Sequence, residues 1–315
     1  MALRPRQRGL TLIELMIALA IGLVIVLAAS SAFLGARKLF TNDTDVRSVQ
    51  DTVRFTRHVA QRLIRQAGYS DYAPDHQPDG ASVVASGVAL SGNSKGPFDL
   101  SLAGASNTTV SKTLAEFGST DSDRVHGSDS LMVRFFGRSN VDGSDADGTM
   151  HDCFGVAQTG PATFNDRAWN ILYVDIATDG HPELYCKRRA GNGTVDVKEL
   201  ARGVELLKVV YGFDANDDSV PDTWLEAKEI EAKAATAGTD AYVQWLNVVA
   251  VRVGMVVRSN RPNAEWKQVG DAANYKLFPL GRDFPGIVFE PPDDGRFRAV
   301  STFTVMLRNV QRDPA

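Results

Sequence analysis

The 315-residue chain is short of the residues on which most catalytic and metal-binding readings depend. Its two cysteines, Cys153 and Cys186, form no Cys-x-x-Cys pair, so neither a zinc site nor a thioredoxin-like site is suggested. The five histidines, His58, His76, His126, His151 and His181, have no metal-ligand spacing, and no phosphate loop occurs. A surplus of basic charge is missing as well. With 34 Lys and Arg against 38 Asp and Glu, the formal charge is −4, and no direct nucleic-acid binding is expected. One G-x-S-x-G match, "GNSKG" at 92–96, is followed by Pro97 and by no amphipathic helical pattern. It therefore lacks the strand-to-helix turn that exposes a nucleophilic Ser, and it reads as a polar loop. Nothing here points to an enzyme, and no cofactor is required. The last absence is charge along the chain: from Leu15 to Ala36 there is none.

At about 1.5 Å of rise per residue, a helix of that length spans roughly 33 Å, which is one membrane crossing. A secretory signal would have a shorter apolar core, then a small-residue cleavage site and ordinary globular composition. Here the helical pattern continues past Arg37. Arg4, Arg6 and Arg8 flank the run on its N-terminal side, so the positive-inside bias keeps the first residues in the cytoplasm and exports the rest. The other strongly apolar run, "WLNVVAVRVGMVVRS" at 245–259, is interrupted by Arg252 and reads as a strand.

Glu14 stands at the edge of the apolar run, where an ionised carboxylate costs at least about 2.5 kcal/mol on insertion scales and is normally kept only with a partner. Snorkelling to the headgroup region is one way to meet that cost. The surrounding letters offer another. "RGLTLIELMIAL" resembles the processing site of type IV prepilins: a basic leader, a Gly, a hydrophobic residue, then Thr-Leu-Ile-Glu. The resemblance implies that a prepilin peptidase cuts after Gly9 and methylates the new α-amino group of Leu10, a position that is Phe in most such proteins. It also implies that Glu14 meets that amine on a neighbouring subunit when the helices stack into a filament. A buried carboxylate and a buried amine each require the opposite charge in low dielectric. Losing the leader takes three Arg with it and moves the formal charge from −4 to −7. In an oxidising periplasm Cys153 and Cys186 read as a disulfide, the alternative being two separately buried thiols.

Beyond the membrane the helix is expected to run to about Gly68, because Val46, Val49, Val53, Ala60, Ile64 and Ala67 form one apolar stripe while arginines occupy other faces. Residues 69–127 are rich in Gly, Ser, Asn, Asp and Pro and read as a loop-rich insertion with weak strands. Stronger strands are expected at 130–136, 169–176, 182–188, 203–213, 245–258 and 297–309, with Asp179-Gly180 closing a hairpin. One face each of 249–257 and 297–307 is apolar, which suits an antiparallel sheet packed on the helix stripe. The expected fold is α+β: a cleaved leader 1–9, a membrane-spanning or filament-core helix 10–36, its amphipathic continuation 37–68, the insertion 69–127, and an antiparallel sheet domain 128–312.

"SDSLMVRFFG", "MHDCFG", "ELYCKR", "GVELLKVVYGFDANDDSVPDTW", "NVVAVRVGMVVRS" and "FRAVSTFTVMLRN" resemble, in the same order, stretches of minor pilins of the PilW family. The resemblance implies a low-abundance subunit that primes and caps the type IV pilus together with other minor pilins and the major pilin. Twitching motility, adhesion or DNA uptake would depend on it. The protein would sit first in the inner membrane, with one pass and a periplasmic C-terminal domain, and then near the pilus tip. A J-type minor pseudopilin of a type II secretion system shares the processing site and the general plan, and remains the alternative. So does an adhesin head on a pilin-like anchor. "DANDDSVPD" bears on the last, since Asp214, Asn216, Asp218, the Val220 carbonyl and Asp222 have a spacing that wraps oxygens around calcium. An Asx-rich turn between strands is the plainer reading.

Overall fold

The computed structural model describes residues 11–69, 100–110, 119–120, 125–160, 168–189, 195–267 and 275–309. Two compact units divide the chain, Met1–Arg47 and Ser48–Ala315. Helix α1 spans Leu12–Gln66. Its apolar first part, long and hydrophobic enough to cross a membrane, has no residue buried by the protein itself.

In the second unit α1 becomes a core helix. Val49, Thr56, Val59, Ala60, Leu63, Ile64 and Gln66 are buried, and Val53 packs against them. The expected stripe is thus widened by Val59 and Leu63, because a helix lying in a groove between other elements is covered over more than one narrow face. Gly68 ends the helix at φ 69°, a left-handed value that costs glycine little. Its N–H donates to Arg134 O, and a Cβ there would come within 3.3 Å of Asn309 Cβ.

Two antiparallel sheets complete this unit. Strands β1 (Leu102–Ala105), β4 (Ser130–Phe135), β5 (Ala168–Ile176), β6 (Pro182–Arg189) and β7 (Val195–Arg202) form the first in the order β1-β4-β5-β6-β7. Strands β8 (Val204–Phe213), β9 (Thr223–Leu225), β10 (Val248–Arg258) and β11 (Arg298–Met306) form the second, ordered β11-β10-β8-β9. A two-residue pair, β2 (Thr108–Thr109) with β3 (Ser119–Thr120), stands apart. Between β5 and β6, Gly180 N donates to Ala177 O and takes φ 80°, the turn chemistry expected of Asp179-Gly180. β1 comes from the loop-rich stretch, and β7 lies outside the expected strands. In β7 the alternation of Val195 and Val197 with Asp196 and Lys198 lasts only four residues, because an irregularity opposite Leu184 and Tyr185 puts Leu200 out of phase. The run expected as a strand from 245 instead begins with a short helix, α3 (Ala241–Trp245), which follows α2 (Ala227–Ala237).

One core joins Val59, Leu63 and Ile64 of α1 to Leu131, Phe135 and Ile171 of the first sheet and to Val209, Val251 and Phe303 of the second. On β11 the alternation in the sequence is realised: Ser301, Phe303 and Val305 are buried, while Val300 and Met306 are exposed. β10 is buried on both faces, since Val256 joins Leu206 and Phe289 in a smaller cluster on the other side. Asp129 ties the sheets together at the start of β4. Its N–H donates to Leu207 O, and its carboxylate accepts from Val209 N at 2.9 Å and Lys208 Nζ at 2.9 Å.

Candidate functional site

The first turn of α1 is a capping box. Glu14 Oε2 accepts both Thr11 N and Thr11 Oγ1 at 2.9 Å, and Glu14 N donates to Thr11 Oγ1 at 3.4 Å. The carboxylate is exposed, at the head of a helical segment in which every residue from Leu12 to Ala36 except Gly22 is exposed. What the turn can do chemically is limited and specific. It presents one anion at the rim of an apolar rod, next to the amide of Thr11. Gly9 and Leu10, the expected cleavage and methylation positions, lie outside the described residues, as do His76 and the "GNSKG" stretch.

Cys153 and Cys186 are bonded to each other, with Cα atoms 6.4 Å apart. The bond fastens the turn before β5 onto β6. Around it, Asp152 takes Phe154 N at 2.8 Å, Val156 N at 2.9 Å and an ion pair from Arg188, while Arg62 Nη2 of α1 donates to Asp152 O at 3.0 Å. The cations of Arg188 and Lys198 each lie 4.7 Å from the ring centre of Phe154.

The 214–222 loop curls around Asp214, which is buried. Asp214 Oδ1 accepts Asn216 N at 3.1 Å and Asp217 N at 2.7 Å, and Oδ2 accepts Ser219 N at 2.9 Å. Asp222 Oδ2 accepts Ala215 N at 2.7 Å, and Asp218 Oδ1 accepts Val220 N at 2.8 Å. Asp217 and Ser219 take φ of 75° and 65°, unusual for residues that are not glycine. Among the described residues no group of three His, Cys, Asp or Glu side chains is arranged to hold a metal ion.

Sequence reasoning passed over one charged cluster. Glu205 is fully buried on β8 and takes Arg298 Nε at 2.7 Å, Arg298 Nη2 at 3.1 Å and Arg258 Nη1 at 3.2 Å. Arg258 and Arg298 face each other in the β10–β11 register, so three adjacent strands carry the row. Asp294 completes it with Arg298 Nη1 at 2.8 Å and Nη2 at 2.9 Å. Burial would raise the Asp294 pKa, but the hydrogen bonds and charge of Arg298, with help from the Arg296 N–H and Arg258, outweigh it and hold the carboxyl below its ordinary value. A Glu at a core-facing strand position, with Arg at strand ends, is the signal that could have exposed this cluster. It is a structural clamp, since each charge is met within the fold.

Two segments of the chain match known families. Residues 4–30 match the prokaryotic N-terminal methylation motif, and residues 171–309 match the type IV pilus-assembly protein W family. The class is thus that of type IV pilin-like proteins. Within it, the matched C-terminal segment is similar to the PilW family. Among solved structures, a type IV-like pilin from Thermus thermophilus is similar at 13% identity, over 84% of this chain and 97% of that one, with a TM-score of 0.39. No curated protein matches the chain.

Proposed function

We propose that the protein is a minor pilin, cut after Gly9 and held by α1 in the inner membrane with its C-terminal region in the periplasm. It then enters the type IV pilus near the tip, where it primes assembly together with other minor pilins and the major pilin. The observation that carries this reading is Glu14: one exposed carboxylate at the head of an apolar segment with no tertiary cover. Such a segment must be covered by lipid or by other helices, and a carboxylate entering that environment requires a cation. The α-amine of Leu10, freed by cleavage, is a cation of the right kind on each subunit. Adhesion, twitching motility and DNA uptake would then follow from the fibre.

Mass spectrometry of the membrane form tests the processing step. The expected N-terminus is Leu10, with or without a methyl group, and a chain still beginning at Met1 in a peptidase-competent host would refute it. Piliation of a deletion strain separates the pilus role from the secretion role: loss of surface fibres with intact type II secretion is expected, and the reverse pattern would assign the protein to the secretion system.

We also propose that the 214–222 loop holds a calcium ion weakly, through Asp214, Asn216, Asp218, the Val220 carbonyl and Asp222. Support comes from the alternating oxygen side chains and from the two left-handed residues that curl the loop. Asp214 Oδ2, Asp218 Oδ1 and Asp222 Oδ2 each accept one backbone N–H and keep a second lone pair for a cation, whereas Asp214 Oδ1 already accepts two. Bound calcium would supply charge against the mutual repulsion of three carboxylates.

A further inference from the structure

Between the last three turns of α1 and the end of β11 lies an open cavity of about 450 Å³. His58, Arg62 and Arg65 line it from one face of the helix, at i, i+4 and i+7, and Arg308 lines it from beyond β11. No carboxylate is among the described residues that line it. The other polar groups at its wall are partly committed. Gln66 exchanges hydrogen bonds with the His151 backbone at 2.8 and 3.0 Å, and Thr149 Oγ1 donates to Asp147 at 2.6 Å.

This concentration of positive charge is unusual for the molecule. Arg138, Arg188, Arg202, Arg258, Arg296 and Arg298 each pair with an Asp or Glu. Arg62, Arg65 and Arg308 have no such partner among the described residues, and the chain as a whole is acidic. Arg62 is held at one end by Asp152 O, while its buried Nε has no hydrogen-bond partner among the described residues. A buried N–H left unpaired carries a desolvation cost that an incoming acceptor removes. Three guanidinium groups gathered without a counter-charge also repel one another, and an anion among them reverses the sign of that interaction.

We propose that this pocket is a binding site for a phosphate-class oxyanion, either a phosphomonoester or a diphosphate. Two features favour that class over a single carboxylate. Three fixed positive charges are balanced by a multiply charged anion and only in part by a singly charged one. Guanidinium forks also match phosphate oxygens two at a time. The cavity falls within the range of small-ligand sites, so there is room for the group that carries the phosphate. The site uses no residue of the Glu14 turn, so it stands or falls separately from the assembly reading.

The test is calorimetric titration of the full chain in neutral detergent with inorganic phosphate, pyrophosphate and glycerol 3-phosphate. Saturable binding of at least one, weakened as salt rises, is expected. Tight pyrophosphate binding that glycerol 3-phosphate does not match would indicate a site for a bare diphosphate. The opposite ranking would indicate an organic phosphomonoester. The R65E/R308E double variant changes two exposed residues and should keep the parent melting temperature while losing roughly tenfold or more in affinity. R54E, on an exposed residue that does not line the cavity, should bind as the parent does. Absence of saturable binding with all three probes at low salt would overturn the proposal. So would a correctly folded double variant that binds like the parent.

Discussion

Residues 12–36 and 49–67 belong to the same helix, yet they are built for different surroundings. The first stretch is uncharged after Glu14, and the protein buries none of it. The second carries Asp51, Arg54, Arg57 and Arg65 on exposed faces and buries Val59, Leu63 and Ile64 completely or nearly so. A helix apolar on every side is stable only where its whole circumference is covered, whereas one with a single apolar stripe completes a water-facing fold. The difference teaches that the sheet unit does not depend on the first stretch for its core, and that the first stretch answers to lipid or to other subunits.

The sharpest way to break this comparison is to change one residue in each stretch. E14Q should all but abolish recovery of the protein in sheared pili while leaving the melting temperature of the full chain unchanged. If immunoblots found normal incorporation, the partner-amine reading of Glu14 would fail. L63A should do the opposite, destabilising the sheet unit by about 2–5 kcal/mol, because a fully buried side chain leaves a cavity. L23A, in the exposed stretch, should leave chemical denaturation of that unit where it was.

Removing the disulfide should come next in size. On the entropy argument, closing the loop between Cys153 and Cys186 contributes about 3–4 kcal/mol, so a C153A/C186A variant should unfold at clearly lower denaturant concentration. An unchanged midpoint under oxidising conditions would show that the packing of Phe154 and the Asp152–Arg188 pair hold the turn without it.

A smaller effect is expected from acid. The folded-state pKa of Asp294 lies below its unfolded value, so its contribution to stability is fully present above about pH 4 and is lost as the pH falls through the folded value. D294N should therefore be less stable than the parent at neutral pH and should converge on it at low pH. Parallel curves across that range would contradict the assignment. The smallest expected effect is a rise of a few degrees in melting temperature in millimolar calcium relative to chelator, at sub-millimolar affinity. It should vanish in D214A/D218A; if calcium and chelator give the same melting curve, the 214–222 loop is a polar turn.

How much of this was legible depended on whether the signal was local. The membrane-length run, the alternation of β11 and the Asp179-Gly180 turn are each written within a couple of dozen neighbouring residues or fewer, and each appears where expected. β7 was missed because the alternation of Val195 and Val197 is cut short by a register shift near Leu200. Glu205 was missed because its partners, Arg258 and Arg298, are 53 and 93 residues away.

By itself, then, the sequence determined that α1 exists, where its character changes, and which faces of the strands turn inward. Helix periodicity, strand alternation and the cost of apolar surface in water act between near neighbours. Tertiary structure alone decided that β1 pairs with β4 and β10 with β8, that Asp129 bridges the two sheets, and that Arg62, Arg65 and Arg308 meet around one cavity. Those outcomes depend on distances between residues far apart in the chain. A charge becomes a clamp or a binding site only when folding brings its partner close and excludes water from between them.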